Sequence, residues 1–215
     1  VKPKHVYLSF LPLSHTLERT VGYYLPMMGG ATVAHARGIP ELAKDLQVIK
    51  PHGLISVPRI YERVYARIKE NLSTRPKWVK KLFHLAVNVG WQRFEYLQGR
   101  AKRPLLFFLW PILQKLVADR ITQKLGGNLL IAVSGGAALS PEISKVFVGL
   151  GVPIFQGYGL TESSPIISTN RLEENIPNSI GKALPGVEVR IGENDELFAR
   201  GENIMLGYWK NKEAT

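Results

Sequence analysis

Cysteine is absent from the 215 residues of this chain. The absence excludes disulfide bonds, thiol nucleophiles and thiolate metal sites, and it favours a cytoplasmic location. Long apolar runs are also lacking: the longest, Leu105 to Leu113, is shorter than the roughly 20 residues of a membrane-spanning helix and contains Pro111. We therefore expect a globular chain without a membrane span.

Common catalytic and phosphate-binding motifs are missing as well. The chain has no Gly-x-x-x-x-Gly-Lys-Ser/Thr loop, no Gly-x-Gly-x-x-Gly helix start and no Gly-x-Ser-x-Gly elbow. No two histidines have metal-ligand spacing together with a carboxylate; the histidines are His5, His15, His35, His52 and His84. We therefore assign no zinc site, and the common phosphate loops and the usual hydrolase elbow are disfavoured.

Acidic residues are few relative to basic ones, and the formal net charge is +11. Between Arg59 and Lys124, fifteen basic residues stand against four acidic ones. Such a regional excess fits a solvated helical face, an anionic lipid surface or a nucleotide-bearing substrate. We keep open a peripheral membrane contact through this region. We expect no nucleic-acid partner, because no ordered motif of aromatic and basic residues is present.

Apolar runs alternate with segments of helical periodicity along most of the chain. Such alternation predicts an α/β fold with a mostly parallel, layered sheet and flanking helices. Helix starts are marked by Pro58 and by Ser140, whose side chain we expect to cap its helix. The predicted strands are residues 31–36, 53–57, 128–133 and 152–155, and the predicted helices are residues 40–50 and the segments after Pro58 and Ser140.

Two regions depart from this alternation. Residues 73–125 are helical in pattern and rich in aromatic side chains, and they predict a helical insertion. After Pro177, short apolar runs at 187–191 and 196–199 predict a small β subdomain at the C-terminal end. We therefore assign residues 1–176 to the α/β part and residues 177–215 to the start of the β subdomain.

Two glycine-rich segments follow predicted strands: Ser134–Ala138 and Gln156–Glu162. Ligands of parallel α/β sheets bind beyond the carboxyl ends of the strands, and glycine lets a ring or a phosphate approach the backbone closely. Tyr158 offers a face for stacking, Thr161 a hydroxyl for a phosphate and Glu162 an oxygen ligand for Mg²⁺. Each segment alone is more typical of a structural turn or a helix cap, whereas together they favour a nucleotide site.

Several segments of the chain occur in a characteristic order. They are LPLSH at 11–15, SGGAAL at 134–139, YGLTE at 158–162, GKALPG at 181–186 and the pairs EL, RG and GY at 196–197, 200–201 and 207–208. This order resembles that of the motifs in the AMP-forming adenylate-forming enzymes, and the resemblance covers essentially the whole chain. VPRIYE at 57–62, followed by the helical insertion, is similar to the long-chain fatty acyl-CoA synthetase branch.

The resemblance implies a long-chain fatty acid:CoA ligase that uses ATP, Mg²⁺ and coenzyme A, with residues 1–176 binding nucleotide and acyl group. A fatty carboxylate attacks the α-phosphate of ATP to give acyl-adenylate and pyrophosphate, and the coenzyme A thiol then displaces AMP. The implied catalytic residues are His15 beside the acyl carboxylate, Thr161 at the phosphate and Glu162 as the Mg²⁺ ligand. The implied nucleotide-binding residues are Gly135, Gly136, Ala137, Gln156, Gly157, Tyr158, Gly159 and Thr161.

The family's phosphate loop, its ribose-binding aspartate and its mobile domain with the catalytic lysine have no match in this sequence. The resemblance therefore implies a central piece of the large N-terminal domain, which we expect to be nearly inactive alone. Three alternatives stay open: an acyl-AMP or acyl-carrier-protein ligase, an activator of aryl or amino acids, and a non-catalytic basic module at a membrane surface. His15 also remains open to a purely structural role.

Overall fold

The computed structural model describes every residue from Val1 to Thr215, and a seven-stranded sheet forms its centre. In sheet order β2-β1-β3-β4-β5-β6-β7, the first five strands are parallel, and β6 and β7 are antiparallel to their neighbours. The strands are β1 (Val6–Ser9), β2 (Thr32–His35), β3 (Gly53–Ser56), β4 (Ile131–Ser134), β5 (Ile154–Tyr158), β6 (Ser168–Thr169) and β7 (Lys182–Ala183). The predicted α/β fold with a mostly parallel sheet is confirmed.

Helices flank this sheet, and none of them has the length and apolarity that a membrane crossing requires. The α-helices are α1 (Leu25–Met28), α2 (Leu42–Ile49), α3 (Pro58–Ser73), α4 (Lys77–Leu97), α5 (Trp110–Leu113), α6 (Asp119–Thr122) and α7 (Pro141–Gly149). π-helical turns span Glu18–Tyr24 and Gln114–Ala118, and 3₁₀ turns span Phe107–Leu109, Gln123–Leu125, Thr161–Ser163 and Glu193–Asp195.

The two faces of the sheet have different surroundings. Leu8, Leu54 and Ala132 occupy matching positions on β1, β3 and β4, and each is at most 2% exposed. They belong to the hydrophobic core, which extends into α4 and α7. Because side chains alternate along a strand, Val133 and Phe155 lie on the opposite face, away from this core.

The predicted helical insertion corresponds to α4 and the short helical turns that follow it, up to Leu125. It is joined to the α/β part where α4 and α7 approach closely at Gly90 and Gly149, both of which are buried. A Cβ on Gly90 would lie 1.7 Å from the Gly149 carbonyl oxygen, and a Cβ on Gly149 would lie 2.6 Å from the Val87 carbonyl oxygen. Glycine is therefore required at this helix crossing by the distance between the two backbones.

Three local predictions need correction. The helix after Ser140 begins at Pro141 as expected, but the exposed Ser140 side chain makes no capping hydrogen bond. Water can form hydrogen bonds with the free backbone amides at this helix start. Strand β1 was not predicted, because its four residues pair with strands far along the chain. Strand β5 continues to Tyr158, through residues predicted as a loop, because Gly157 and Tyr158 pair with β6.

The C-terminal residues form the predicted small antiparallel hairpin, β8 (Glu188–Ile191) and β9 (Leu197–Arg200). Ahead of the hairpin, β7 still pairs with β6 at the edge of the main sheet. The division of the chain at residue 177 stays a prediction.

Gly90→Ala should destabilise the protein, because the added methyl group would clash with the Gly149 backbone and force α4 away from α7. We expect a loss of about 1–3 kcal/mol in the free energy of unfolding. Urea denaturation of the full-length natural protein measures the change. Asn88→Ala, on the exposed side of the same helix, is the matched control. Equal stability of the two variants would show that the helices can separate freely.

Candidate active site

A cavity of about 910 Å³ lies against the face of the sheet opposite the core. Tyr7, Val133 and Phe155 line it from three parallel strands. One end of the cavity is lined by His5 and His52, which immediately precede β1 and β3. The cavity therefore begins at the amino ends of the central strands and follows them toward their carboxyl ends.

The two glycine-rich segments form the other end of the cavity. Gly135 and Gly136 follow β4, and residues 157–162 complete β5 and continue beyond it. Gly136 has a φ angle of +80°, which other residues rarely adopt. A Cβ on Gly159 would lie 1.7 Å from the Pro165 carbonyl oxygen. The backbone thus requires glycine at both of these positions before any ligand is considered.

Most of the predicted site residues share this end of the cavity. The predicted residues that line the cavity are His15, Gly135, Gly136, Gly157, Tyr158, Gly159, Thr161 and Glu162. Ala137 and Gln156 do not line it. The structure therefore brings eight of the ten predicted residues together, and their individual roles stay predictions.

The side chain of Gln156 supports the neighbouring loop from behind. It is buried, and its Oε1 accepts a hydrogen bond of 2.8 Å from the Leu139 N–H. Its Nε2 donates to the Pro177 carbonyl oxygen. Gln156 thereby ties the loop after β4 to the segment that follows β6. A direct contact of its side chain with nucleotide stays a prediction.

His15 faces the cavity with one ring nitrogen already engaged. Its Nδ1 accepts a hydrogen bond of 3.2 Å from the Leu17 N–H. In a neutral imidazole the proton then lies on Nε2. Nε2 is therefore the nitrogen that can donate to a ligand oxygen.

A short 3₁₀ turn, Thr161–Ser163, presents Thr161 and Glu162 to the cavity. The buried Ser163 hydroxyl fixes this turn, because it donates to the Leu160 carbonyl oxygen and accepts from the Leu160 N–H, both at 2.9 Å. This reciprocal pair satisfies polar groups at the start of the turn.

The segment after β9 covers the same turn and contacts Glu162 directly. The Tyr208 hydroxyl donates a hydrogen bond of 2.5 Å to Glu162 Oε1, and this bond lowers the pKa of Glu162. The Met205 N–H donates to the Glu162 carbonyl oxygen at 2.8 Å. Asn203 Nδ2 donates to the Ser163 carbonyl oxygen at 3.0 Å. Glu162 is therefore held as an ionised carboxylate by residues about forty positions away.

Comparison with known proteins identifies the family of this chain. Residues 1–209 match the family described as AMP-binding enzyme. The chain belongs to this family. The long-chain-fatty-acid–CoA ligase FadD15 of Mycobacterium bovis is 33% identical over 208 residues, which cover 97% of this chain and 34% of that protein. The peroxisomal long chain acyl-CoA synthetase 7 of Arabidopsis thaliana is 31% identical over 229 residues, 99% of this chain and 31% of that protein.

Solved structures show the same fold. A malonyl-CoA ligase, described as a ternary product complex with methylmalonyl-CoA and AMP bound, has a TM-score of 0.65 at 22% identity. The match covers all of this chain and 38% of that chain. A benzoate CoA ligase from Burkholderia xenovorans has a TM-score of 0.64 at 20% identity, with 99% of this chain and 36% of that chain covered. The present AMP-binding chain spans about a third of the length of the curated relatives it matches.

Sequence reasoning assigned no role to three residues that shape the site of this AMP-binding chain. Tyr208 belongs to the GY motif of the family resemblance, and this motif was its only sequence signal. No sequence signal indicated a role for Asn203. Glu18 is fully buried in the π-helical turn, and neither carboxylate oxygen completes a hydrogen bond. Burial raises its pKa to about 7, although the Ser9 hydroxyl and the Phe10 backbone favour the ionised form. No local pattern distinguishes Glu18 from an exposed glutamate.

The titration of Glu18 should make stability depend on pH. The unfolded chain ionises near pH 4.5 and the folded chain near pH 7, so the free energy of unfolding falls as the pH rises between these values. At about 1.4 kcal/mol per pH unit the total loss is about 3 kcal/mol. Glu18→Gln cannot ionise and should remove this loss.

Urea denaturation of the full-length natural protein at pH 5 and pH 8 measures the effect. Glu70→Gln, at an exposed position of α3, serves as the control and should keep the wild-type dependence. The assignment is wrong if Glu18→Gln and wild type lose stability equally over this range.

Proposed function

We propose that this chain forms the acyl- and nucleotide-binding part of an enzyme that activates long-chain fatty acids with ATP and transfers them to coenzyme A. The observation that carries the proposal is the shape of the cavity. Polar groups gather at the glycine-rich end, and from Gly135 back to Leu130 the cavity follows β4 for on the order of 15 Å. A carboxylate head with a long alkyl tail fits such a site.

The wall between the two ends of the cavity is largely apolar, and a long tail would reach His5 and His52 at the far end. Besides the strand residues, Val21 and Leu25 line it from the π-helical turn and α1. Burying alkyl groups against such a wall stabilises a ligand by about 0.8 kcal/mol per methylene. The curated relatives named as long-chain ligases support the same class of acid.

The chemistry that the family resemblance implies requires an oxygen of the acid to become part of a leaving group. A carboxylate oxygen forms a bond to the α-phosphorus of ATP while the bond from that phosphorus to pyrophosphate breaks. The coenzyme A sulfur then bonds to the acyl carbon, the bond to AMP breaks, and the thiol proton passes to solvent. Positioned hydrogen-bond donors stabilise the charge that gathers in the first step.

The residues at the polar end offer such donors. His15 Nε2–H can donate to the acid carboxylate, because Nδ1 is occupied by the Leu17 N–H. The Thr161 hydroxyl, presented by the 3₁₀ turn, can donate to a phosphate oxygen. Gly135 and Gly157 line the cavity, and a flat adenine ring could approach their backbone closely.

Mg²⁺ fits this site as an ion shared with the substrate. Glu162 is a partly exposed carboxylate with a lowered pKa, which suits a hard cation. No group of three or more histidine, aspartate or glutamate side chains in the chain could hold a metal ion by itself. Glu162 would therefore be one ligand, with phosphate oxygens and water as the others. When bound, Mg²⁺ would neutralise charge on the phosphates.

Pyrophosphate release by the full-length natural protein tests the proposal. With ATP and Mg²⁺, we expect kcat/KM to rise about fourfold per added methylene, since each buried methylene contributes about 0.8 kcal/mol, until the cavity is filled. The panel runs from acetate to long saturated acids and includes benzoate. Glu162→Gln should nearly abolish release, whereas Glu202→Gln, an exposed control, should not.

Preference for benzoate or acetate over every long acid would refute the long-chain assignment while leaving adenylation intact. Absence of release with all acids from a folded protein would favour the non-catalytic alternative. Replacing coenzyme A by acyl-carrier protein in the second step distinguishes the two acceptors.

Tyr208→Phe should weaken the Glu162 site without unfolding it. The substitution removes only the hydroxyl that anchors Glu162 Oε1. Loss of a partner that orients a metal ligand costs on the order of 10-fold in affinity or activity. We therefore expect a drop of this size in kcat/KM for ATP and a higher Mg²⁺ requirement. Tyr96→Phe, in the helical insertion, is the control; an equal effect of both would remove Tyr208 from the site.

A cytoplasmic location and a peripheral membrane contact stay predictions. The basic helical region does expose apolar side chains beside Arg103: Leu105 is 93% exposed and Phe108 is 68% exposed. Such a combination suits an anionic lipid surface. Trp110, in the same apolar run, is buried instead.

A further inference from the structure

A carboxyl group is enclosed in the turn that forms one wall of the cavity. Glu18 is 0% exposed, and the Ser9 hydroxyl and the Phe10 backbone approach its carboxyl group without completing well-formed hydrogen bonds. The π-helical turn Glu18–Tyr24 winds around this group, and a Cβ on Gly22 would lie 2.6 Å from Glu18 Cδ. Gly22 thus makes room for the carboxyl group. π-helical turns are rare and occur often at functional sites.

The same turn and the residues just before it carry cavity-lining side chains. Thr20 and Val21 line the cavity, as does Leu17. Leu17 packs on the glycine-rich loop, since a Cβ on Gly135 would lie 2.8 Å from Leu17 Cδ2. The backbone of Leu17 also holds His15 Nδ1. Any shift of the turn would therefore move His15 and the Gly135 wall together.

We propose that Glu18 is a positioning residue of the site, whose buried neutral carboxyl group holds the π-helical turn in the arrangement that aims His15 at the cavity. The inference rests on the proposed function, because it concerns the end of the cavity where the acid carboxylate would bind. Glu18 itself does not line the cavity and acts through the turn.

No cation faces Glu18 from the elements packed against the turn. The elements with the most contacts to the turn are β1, β3 and α1, and Tyr7 on β1 is their one titratable side chain. On β2, the His35 ring packs against Tyr23 of the turn. On the turn itself, Arg19 points elsewhere and donates from Nε to the Leu13 carbonyl oxygen at 2.8 Å. The other titratable side chains of the turn are Tyr23 and Tyr24.

Loss of the proton to solvent would leave an unpaired charge in the protein interior. Such a charge is costly unless water or a partner reaches it. Ionisation of Glu18 should therefore favour opening of the turn, and the raised pKa of about 7 places this effect near neutral pH.

Two substitutions separate the carboxyl group from its charge. Glu18→Gln keeps the size and stays neutral, whereas Glu18→Ala removes the group. In pyrophosphate release by the full-length natural protein, we expect Glu18→Ala to lower kcat on the order of 100-fold, the cost of displacing a reacting group by about 1 Å. The KM for ATP should rise as well, because a shift of the turn also moves the Gly135 wall beside the proposed adenine position.

Glu18→Gln should restore near wild-type turnover at pH 6.5. Wild-type kcat/KM for the fatty acid should fall as the pH rises through about 7, and Glu18→Gln should remove this fall. Glu70→Gln is the control and should follow wild type. Gly22→Ala, which displaces the carboxyl group, should behave like Glu18→Ala.

Two further readouts do not depend on catalysis. The infrared band of a protonated carboxyl group should be present in wild type at pH 6 and absent in Glu18→Gln. Amide hydrogen exchange over residues 18–24 should speed up in Glu18→Ala and stay slow in Glu18→Gln.

Absence of the infrared band, full activity of Glu18→Ala, or equal loss in Glu18→Gln and Glu18→Ala would each overturn the proposal. If wild type releases no pyrophosphate with any acid, the proposed function fails. In that case the infrared band and the exchange rates still decide whether Glu18 holds the turn.

Discussion

The parallel alignment of β1, β3, β4 and β5 is the constraint on which the rest of the structure depends. It brings their carboxyl ends to one edge of the sheet, although the segments that follow them are far apart in sequence. The register pairs Ser56 with Ser134, and Ser134 with Gln156. A slip of one residue would move the apolar side chains of one face to the other. The core on one face therefore fixes the cavity on the other.

Buried amides hold the irregular chain beside β5, where no strand pairing is available. Asn170 Nδ2 donates to the Gln156 and Ser179 carbonyl oxygens at 3.1 and 2.6 Å, and its Oδ1 accepts from the Ile176 N–H at 2.8 Å. Asn175 Nδ2 donates to the β5 backbone at 2.8 Å. Buried networks of this kind specify one arrangement because each unmet partner is costly. The glycine-rich end of the cavity is thus built on a rigid support.

Local sequence patterns were sufficient to predict the helices and strands whose own residues carry the pattern. The run Gly53 to Ser56 is apolar and fully buried, and α3 begins at Pro58 as its sequence indicates. The extension of β5 to Tyr158 was not predictable, because it depends on pairing with Ser168 about ten residues later. Among site residues, the motif order indicated Thr161 and Glu162, whereas the long-range contacts that position them lie outside any local pattern.

Two glutamates of the site show how far environment, rather than residue type, sets their chemistry. Glu162 is partly exposed and accepts a hydrogen bond from Tyr208, and both conditions favour its charged form. Glu18 is buried without a cation, and burial favours its neutral form. Opposite pKa shifts of this kind give the two carboxyl groups of a pair different roles in enzymes. The turn that encloses Glu18 is also the wall beside the apolar part of the cavity. The fold therefore keeps charge away from that wall and exposes it at the end where phosphates would bind.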